Sequence, residues 1–123
     1  MKLLLSIRPE FATKILSGAK RFEFRRQMFK RTVDVVVIYA TSPVKKVVGE
    51  FEPVGVVSGE PDDVWLKCKK FAGVDRTLFD VYFQKSQVAY AIKIGNVVRY
   101  DNPLDLMATY GIKPPQSFCY IKC

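Results

Sequence analysis

The chain contains no histidine. That removes the commonest general base, the usual activator of a nucleophile and the most frequent metal ligand together. Any catalysis must run on Lys, Glu, Asp, Tyr, Ser, Thr or Cys. Cysteine is scarce as well: Cys68, Cys119 and Cys123 make an odd number, with no Cys-x-x-Cys pair. A disulfide scaffold and a zinc site are both unfavoured by that pattern. No metal and no cofactor is expected. No apolar run approaches the length of a membrane span, so no membrane partner is expected either. The apolar opening Leu3-Leu4-Leu5 is cut short by Arg8 and Pro9. It does not read as a signal peptide, and the cytoplasm is the expected compartment. There is no internal repeat, linker or low-complexity tract.

What is present is an ordinary globular composition with an unusual charge. The 123 residues are 49% hydrophobic and 26% charged, which suits one domain spanning 1–123 with a sizeable core. Twenty basic residues stand against 12 acidic ones, a net charge of +8. A field of that sign on a small domain favours polyanions such as RNA or nucleotides, and also admits an acidic protein partner.

Taken in order, Lys2 to Ile7 reads as a strand. Pro9 suits the first position of a helix, Glu10 its positive end, and Gly18 its stop. Phe11, Ala12, Ile15 and Leu16 share one face of that helix. A strand over Lys20 to Arg26 follows, then a basic loop. Val35 to Ala40 is a β-branched run without alternation, so both faces should be buried. Thr41-Ser42-Pro43 ends it with two hydroxyls, placed either for a ligand or simply for a turn. Val44 to Val57 reads as one bent strand or two, with bulges at Gly49, Pro53 and Gly55. A helix from Pro61 to about Lys70 and a second over Arg76 to Gln84 form a pair, with Asp75 as the N-cap of the second. Trp65 reads as core, with base stacking as the minor alternative. Val88 to Ile94 is a strand, interrupted at Gly95-Asn96 and continued over Val97 to Tyr100. Asn102-Pro103 should break the chain. Leu104 to Tyr110 forms a helical turn, and Gln116 to Ile121 a last strand. Many curved strands with few helices predict an α+β fold built on a small β-barrel.

The stretch from Gly18 to Arg26 carries the chemistry. Strict alternation puts Arg21, Glu23 and Arg25 on one face and Phe22 and Phe24 on the other. The phenylalanines would anchor the strand, leaving a carboxylate between two guanidinium groups. This is either a solvated face with weak salt bridges or a site for phosphate or carboxylate. Lys20 falls opposite Glu23 by the same alternation. It joins the others only if it still belongs to the turn.

Gly18, Lys20, Glu23 and Arg25 fit a G-x-K-x-x-E-x-R pattern, after a short helix and at the opening of a strand. That pattern resembles the ASCH domain family of the PUA-like superfamily. Ser6 through Arg26, Tyr39 through Pro43, Val48 through Phe51 and Pro115 through Phe118 extend the resemblance to small stand-alone prokaryotic and archaeal members. It implies a closed or nearly closed PUA-like barrel, with a short N-terminal helix and a helical pair packed on it. A cleft is implied beside the helix-to-strand turn. It also implies RNA or nucleotide binding, in some members regulating transcription or translation. Other members are enzymes: amidohydrolases acting on an acylated cytidine, and ribonucleases. The amidohydrolase pattern has a threonine three positions after the lysine. Here that position is Glu23, and Asp75 stands in the region where a further acidic residue would fall.

Three functions follow as alternatives, one of them a protein-interaction or regulatory domain whose basic face meets an acidic partner. In a binding module Lys20 and Arg25 would meet a phosphate or carbonyl, and Glu23 would steady Arg25 or accept from an exocyclic amine. Tyr39 would offer a stacking face. Ser42, Gln116 and Ser117 would supply orienting hydrogen bonds, and Arg21, Arg26, Lys30 and Arg31 would track a nucleic-acid backbone. In a hydrolase Lys20, its pKa depressed by burial, would act as base with Glu23 as partner. The structural alternative is that Glu23 and Arg25 form an internal ion pair that fixes the barrel.

Overall fold

The computed structural model describes residues 1–121. One sheet organises it. Its six strands are β1 (Lys2–Ile7), β2 (Phe22–Arg25), β3 (Val35–Ala40), β4 (Lys46–Gly59), β5 (Ala89–Leu104) and β6 (Phe118–Ile121), in the order β2-β5-β4-β3-β1-β6. Only β1 and β3 run parallel, since α1 (Pro9–Ser17) and β2 lie in the crossover between them. All other neighbours are antiparallel.

The sheet curls into a half-barrel because β4 and β5 are long and bulged. Their register shifts between Val47 and Gly49, Glu50 and Glu52, and Pro53 and Gly55, where glycine and proline weaken the ladder. Asn96, at a positive φ of 36°, sits in β5 beside the second shift. One expectation is corrected here. Asn102-Pro103 does not break the chain, and β5 runs on to Leu104. Val47 pairs with Leu104 and Gly49 with Arg99, so Pro103 lies in the slack of a bulge where no ladder bond is asked of it.

Three apolar clusters hold the curl. Inside it, Leu3, Leu5, Ile7, Val36, Ile38, Phe51 and Ile92 pack with Ala12 and Ile15 of α1. On the outer face, Leu4, Val37, Tyr39 and Val47 pack under Leu106 of α4 (Leu106–Tyr110). The even and odd positions of β3 thus enter different clusters, which is why that strand lacks alternation. The third cluster lies beneath α2 (Pro61–Cys68) and α3 (Arg76–Phe83), where Val64, Cys68, Phe79 and Phe83 meet Phe24, Ala89 and Ala91. Phe79 sits edge-on to Phe24 at 5.1 Å and tilted to Phe83 at 4.7 Å. Such a core phenylalanine is worth about 3–5 kcal/mol against alanine.

The sheet does not close by hydrogen bonds. Its edges are β2 and β6, and among the described residues no ladder joins them. A side chain does so instead. Arg25 of β2 donates from Nη1 to Ser117 Oγ, just before β6, at 3.1 Å, and from Nη2 to the carbonyl of Ser6 in β1 at 3.0 Å. Cys68 and Cys119 are free thiols, and Cys123 lies outside the described residues. Among the described residues no helix is long and apolar enough to cross a membrane, and no cluster of three or more potential ligands is placed to hold a metal.

Candidate functional site

The site is built at the reversal between α1 and β2. Gly18 ends α1 at φ 87°, in the left-handed region that glycine enters freely. The chain does not join the sheet at once. Lys20 N–H donates to the carbonyl of Lys14 and Arg21 N–H to that of Phe71. The strand begins at Phe22. Lys20 therefore belongs to the turn, and strand alternation does not govern it. Arg21 is the point of entry, its N–H turned to Phe71 while its carbonyl accepts from Ile94 N–H of β5 at 3.0 Å. Arg21 accordingly does not share a face with Glu23 and Arg25. It is exposed and stacks on Phe71, 4.3 Å from the ring centre. Lys20 swings the other way, into the fold.

Lys20, Glu23 and Arg25 come together as walls of one cavity of about 210 Å³. They are 2%, 6% and 8% exposed, so the motif is buried rather than a solvated face. Ser6, Ile7 and Arg8 at the end of β1 and before α1, Phe11 of α1, Phe24, and Val74, Leu78, Phe79 and Tyr82 on and before α3 complete the lining. The cavity thus lies between the helix-to-strand turn and the helical pair, with aromatic walls and a charged floor.

Glu23 pairs with Arg25 at 3.0 Å, so the internal ion pair anticipated as the structural alternative is present. It does not empty the site of chemistry. Arg25 Nε is buried with no partner among the described residues. Lys20 Nζ donates to the carbonyl of Ala72 at 2.6 Å and lies 4.6 Å from the Phe24 ring and 5.4 Å from that of Phe11. Burial lowers its pKa from 10.5 to about 8, with the charge of Glu23 pulling the other way and Lys14 reinforcing the drop. An amine of that kind exchanges its proton near neutral pH. Below it, burial pushes the Cys68 thiol up to about 11, which keeps it protonated and inert.

A glycine fixes the lysine. A Cβ on Gly73 would sit 2.5 Å from Lys20 Cβ and 2.6 Å from its Cγ, and Gly73 itself is at φ 70°. The backbone at Gly73 comes this close to the lysine stem only because no side chain intervenes. The sequence marks Gly73 as a helix stop and says nothing of this proximity.

The remaining candidates divide. Ser117 reaches the site through Arg25. Gln116 is exposed just before it and does not line the cavity. Tyr39 offers no stacking face: it is 5% exposed and packed with Val37, Val47 and Leu106 on the outer side of the sheet. Ser42 is exposed in the turn after β3 and does not line the cavity, so its turn reading stands. Trp65 packs at 5.0 Å on Phe79, under Arg76, as core. Arg26 is exposed at the rim, stacked on Tyr82 at 4.7 Å. Lys30 and Arg31 lie further along the seam, where their backbone N–H groups donate to Tyr120 Oη and Arg31 stacks on that ring. Asp75 is engaged as a helix cap, accepting from Leu78 N–H at 2.8 Å.

Phe11 and Tyr82 are lining residues that sequence reasoning assigned only to the core. Tyr82 lies three residues after Phe79 and packs half-buried against the same cluster, so helical spacing alone does not separate lining from core.

A half-barrel of this strand order, with a cavity at its first helix-to-strand turn, has the PUA-like architecture. The ASCH domain matches residues 5–103, and the chain belongs to that family. A crystal structure of the ASCH protein from Zymomonas mobilis superposes with a TM-score of 0.90 at 28% identity, covering 98% of this chain and 87% of that one. The ASCH domain-containing ribonuclease of the same organism is 29% identical over 125 residues, covering 97% of this chain and 83% of that protein. The large ribosomal subunit protein uL22 of Ureaplasma parvum is 36% identical over 87 residues, 71% of this chain. The chain spans only 28% of that relative's length, so the likeness is to one segment of it.

Proposed function

We propose that this chain binds single-stranded RNA and draws one unstacked nucleotide into the cavity at the Lys20 turn. One observation carries the reading: Lys20, Glu23 and Arg25 line a single hollow of about 210 Å³ whose other walls are aromatic and aliphatic except for Ser6 and Arg8. RNA-binding modules read splayed bases in such surroundings, with rings against the base faces and polar groups at the edges. Lys20 Nζ has one carbonyl partner and further N–H donors for a base carbonyl or phosphate. Glu23 can accept from an exocyclic amine. Arg25, held by Ser6, Ser117 and Glu23, acts as the frame. Outside, Arg26, Lys30 and Arg31 track the backbone along the seam. A protein of this kind regulating transcription or translation would act by occupying its RNA.

A second reading is RNA cleavage. It is favoured by the ribonuclease relative, which matches nearly the whole chain, and by the Lys20 amine at a pKa of about 8. As the neutral amine, Lys20 would take the proton of a 2′-hydroxyl. The freed oxygen would attack the adjacent phosphorus and expel the 5′-oxygen of the next nucleotide, which takes a proton from water. The products are a 2′,3′-cyclic phosphate and a 5′-hydroxyl. Hydrolysis of an acylated cytidine is not favoured, because Glu23 replaces the threonine and Asp75 caps α3.

The test is fluorescence anisotropy with a single-stranded oligoribonucleotide, alongside cleavage read on denaturing gels, for the wild type and Lys20→Met. Binding weakened by the substitution, with no cleavage in either protein, supports the binding module. Cleavage falling by about 10²-fold or more in Lys20→Met supports the ribonuclease. Failure of the wild type to bind RNA or nucleotides overturns both.

A further inference from the structure

On the far side of the Lys20 turn lies a second group of cations that the cavity does not use. Lys14, Lys69, Lys70 and Lys93 are exposed, and none forms an ion pair with a described residue. Arg21 joins them. Its guanidinium lies on one side of Phe71, 4.3 Å from the ring centre, and Lys70 Nζ lies 5.6 Å from the same centre. The ring therefore holds the arginine plane while its N–H edges, which bond to no described residue, remain available for a phosphate. Arg26 on Tyr82 and Arg31 on Tyr120 repeat this arrangement on the opposite side of the cavity.

The group is continuous with the cavity. Lys14 stands one helical turn beyond Phe11, a lining residue, and its Nζ donates at 2.9 Å to the carbonyl of Gly73, which precedes the lining residue Val74. Arg21 is tied by its backbone to Phe71. Arg21 and Arg26 bracket the four residues of β2. The three steps of that strand span about 10 Å, so the two arginines, one residue beyond either end, stand on opposite sides of the cavity. Uncompensated charge thus lies on both sides of one hollow.

We infer that Lys14, Arg21, Lys69 and Lys70 form a second backbone arm, so that the cavity receives an internal nucleotide of a single strand running from Arg26 across to this cluster. The inference rests on the RNA-binding reading and makes it more specific. The site accepts a strand that continues on both sides of the inserted nucleotide, and any cleavage would be endonucleolytic. A strand reaching both arms covers roughly four nucleotides or more, at the low end of what small barrels bind. A single strand is preferred to a duplex, whose base would first have to be unpaired and unstacked.

The experiment compares the wild type with the triple variant Arg21→Ala, Lys69→Ala, Lys70→Ala, whose fold is checked by circular dichroism. The probes are a nucleoside monophosphate, a linear 12-mer RNA and a circular single-stranded 20-mer. The expected result is a 12-mer affinity at least tenfold weaker in the triple variant near 0.1 M salt. The slope of log K against log salt should flatten by about 0.7 for each phosphate that the variant no longer neutralises. Monophosphate binding should be unchanged, and wild type should bind the circle as well as the linear strand. Equal 12-mer affinity and slope in the two proteins overturns the arm while leaving the cavity reading intact. A circle bound more than tenfold weaker than the linear strand overturns the internal placement. If the triple variant loses the 12-mer while Lys20→Met and monophosphate competition leave wild-type binding untouched, the arm stands and the cavity reading fails. Binding to polyglutamate but not to RNA, abolished in the triple variant, overturns the inference in favour of an acidic protein partner.

Discussion

The two ends of β2 hold one buried cation each and use it differently. At the seam end, Arg25 is committed: a serine hydroxyl, a backbone carbonyl and a carboxylate take its Nη groups, and the first two belong to segments that no ladder joins to β2. At the turn end, Lys20 has one carbonyl and two ring faces, and it remains depressed in pKa. A guanidinium offers a rigid fork that stays charged, so it suits a permanent clasp. An ammonium on a flexible stem can shed its proton when desolvated, so it suits a place where something comes and goes. Burial alone does not separate structure from function here. What separates them is how many fixed partners each cation has.

That contrast is broken most sharply by removing each charge. Arg25→Ala strips the frame and leaves Glu23 buried and without its ion-pair partner. Removing one member of a buried pair costs about 3–5 kcal/mol. Urea denaturation should show a loss of that size, with the edges β2 and β6 losing amide protection first. Lys20→Met should cost little stability or raise it, because methionine fills the same channel without a charge to desolvate. Equal destabilisation by the two substitutions would erase the distinction between clasp and poised amine.

The next effect sharpens the comparison by moving Lys20 without changing it. Gly73→Ala meets two obstacles: a φ of 70° and a Cβ 2.5 Å from the lysine stem. A non-glycine residue held there costs about 1–3 kcal/mol. Because the clash falls on the near part of the stem, the amine must leave its place beside Ala72. RNA affinity, or cleavage where present, should fall as far as in Lys20→Met, while the Arg25 clasp and the seam persist. A variant that loses stability and keeps full RNA affinity would show that the position of Lys20 is immaterial.

Much of this architecture was legible in the residues. Pro9 and Gly18 bracket α1, the β-branched run of β3 announces a strand buried on both faces, and Gly49, Pro53 and Gly55 mark the bulges that curl the sheet. The site was legible in part. The spacing of Lys20, Glu23 and Arg25 identified three side chains that do share one cavity. Their burial was not readable, because its cause is α3, more than fifty residues further along the chain. Whether Lys20 obeys strand alternation was likewise undecidable locally, since the bonds that keep the turn out of the sheet end on Lys14 and Phe71. Tyr39 failed as a stacking face for a related reason. It lies in a strand with both faces buried, and only the packing of α4 shows which cluster takes it. Pro103 inside β5 shows the limit of punctuation residues. A proline stops a strand only where its missing N–H is needed.

The smallest effect is a titration, and it isolates the poised cation from everything else. In the folded chain Lys20 loses its proton near pH 8, and in the unfolded chain near 10.5. Between those values the unfolded state holds more protons, so stability rises with pH, by at most about 1.4 kcal/mol per unit. Cys68 acts in the opposite sense. Its folded pKa is about 11 against 9.0 unfolded, so the unfolded state loses that proton first and stability falls above pH 9. Tyr100, raised by burial and by its bond to Glu50, opposes Lys20 higher still. The clear window is therefore pH 8 to 9. Denaturation midpoints should climb across it in the wild type, and the climb should vanish in Lys20→Met. A wild-type profile that is flat or falling there would mean that Lys20 keeps its proton in the folded state. The turn-end cation would then be as fixed in charge as Arg25, and the chemical difference between the two ends of β2 would disappear.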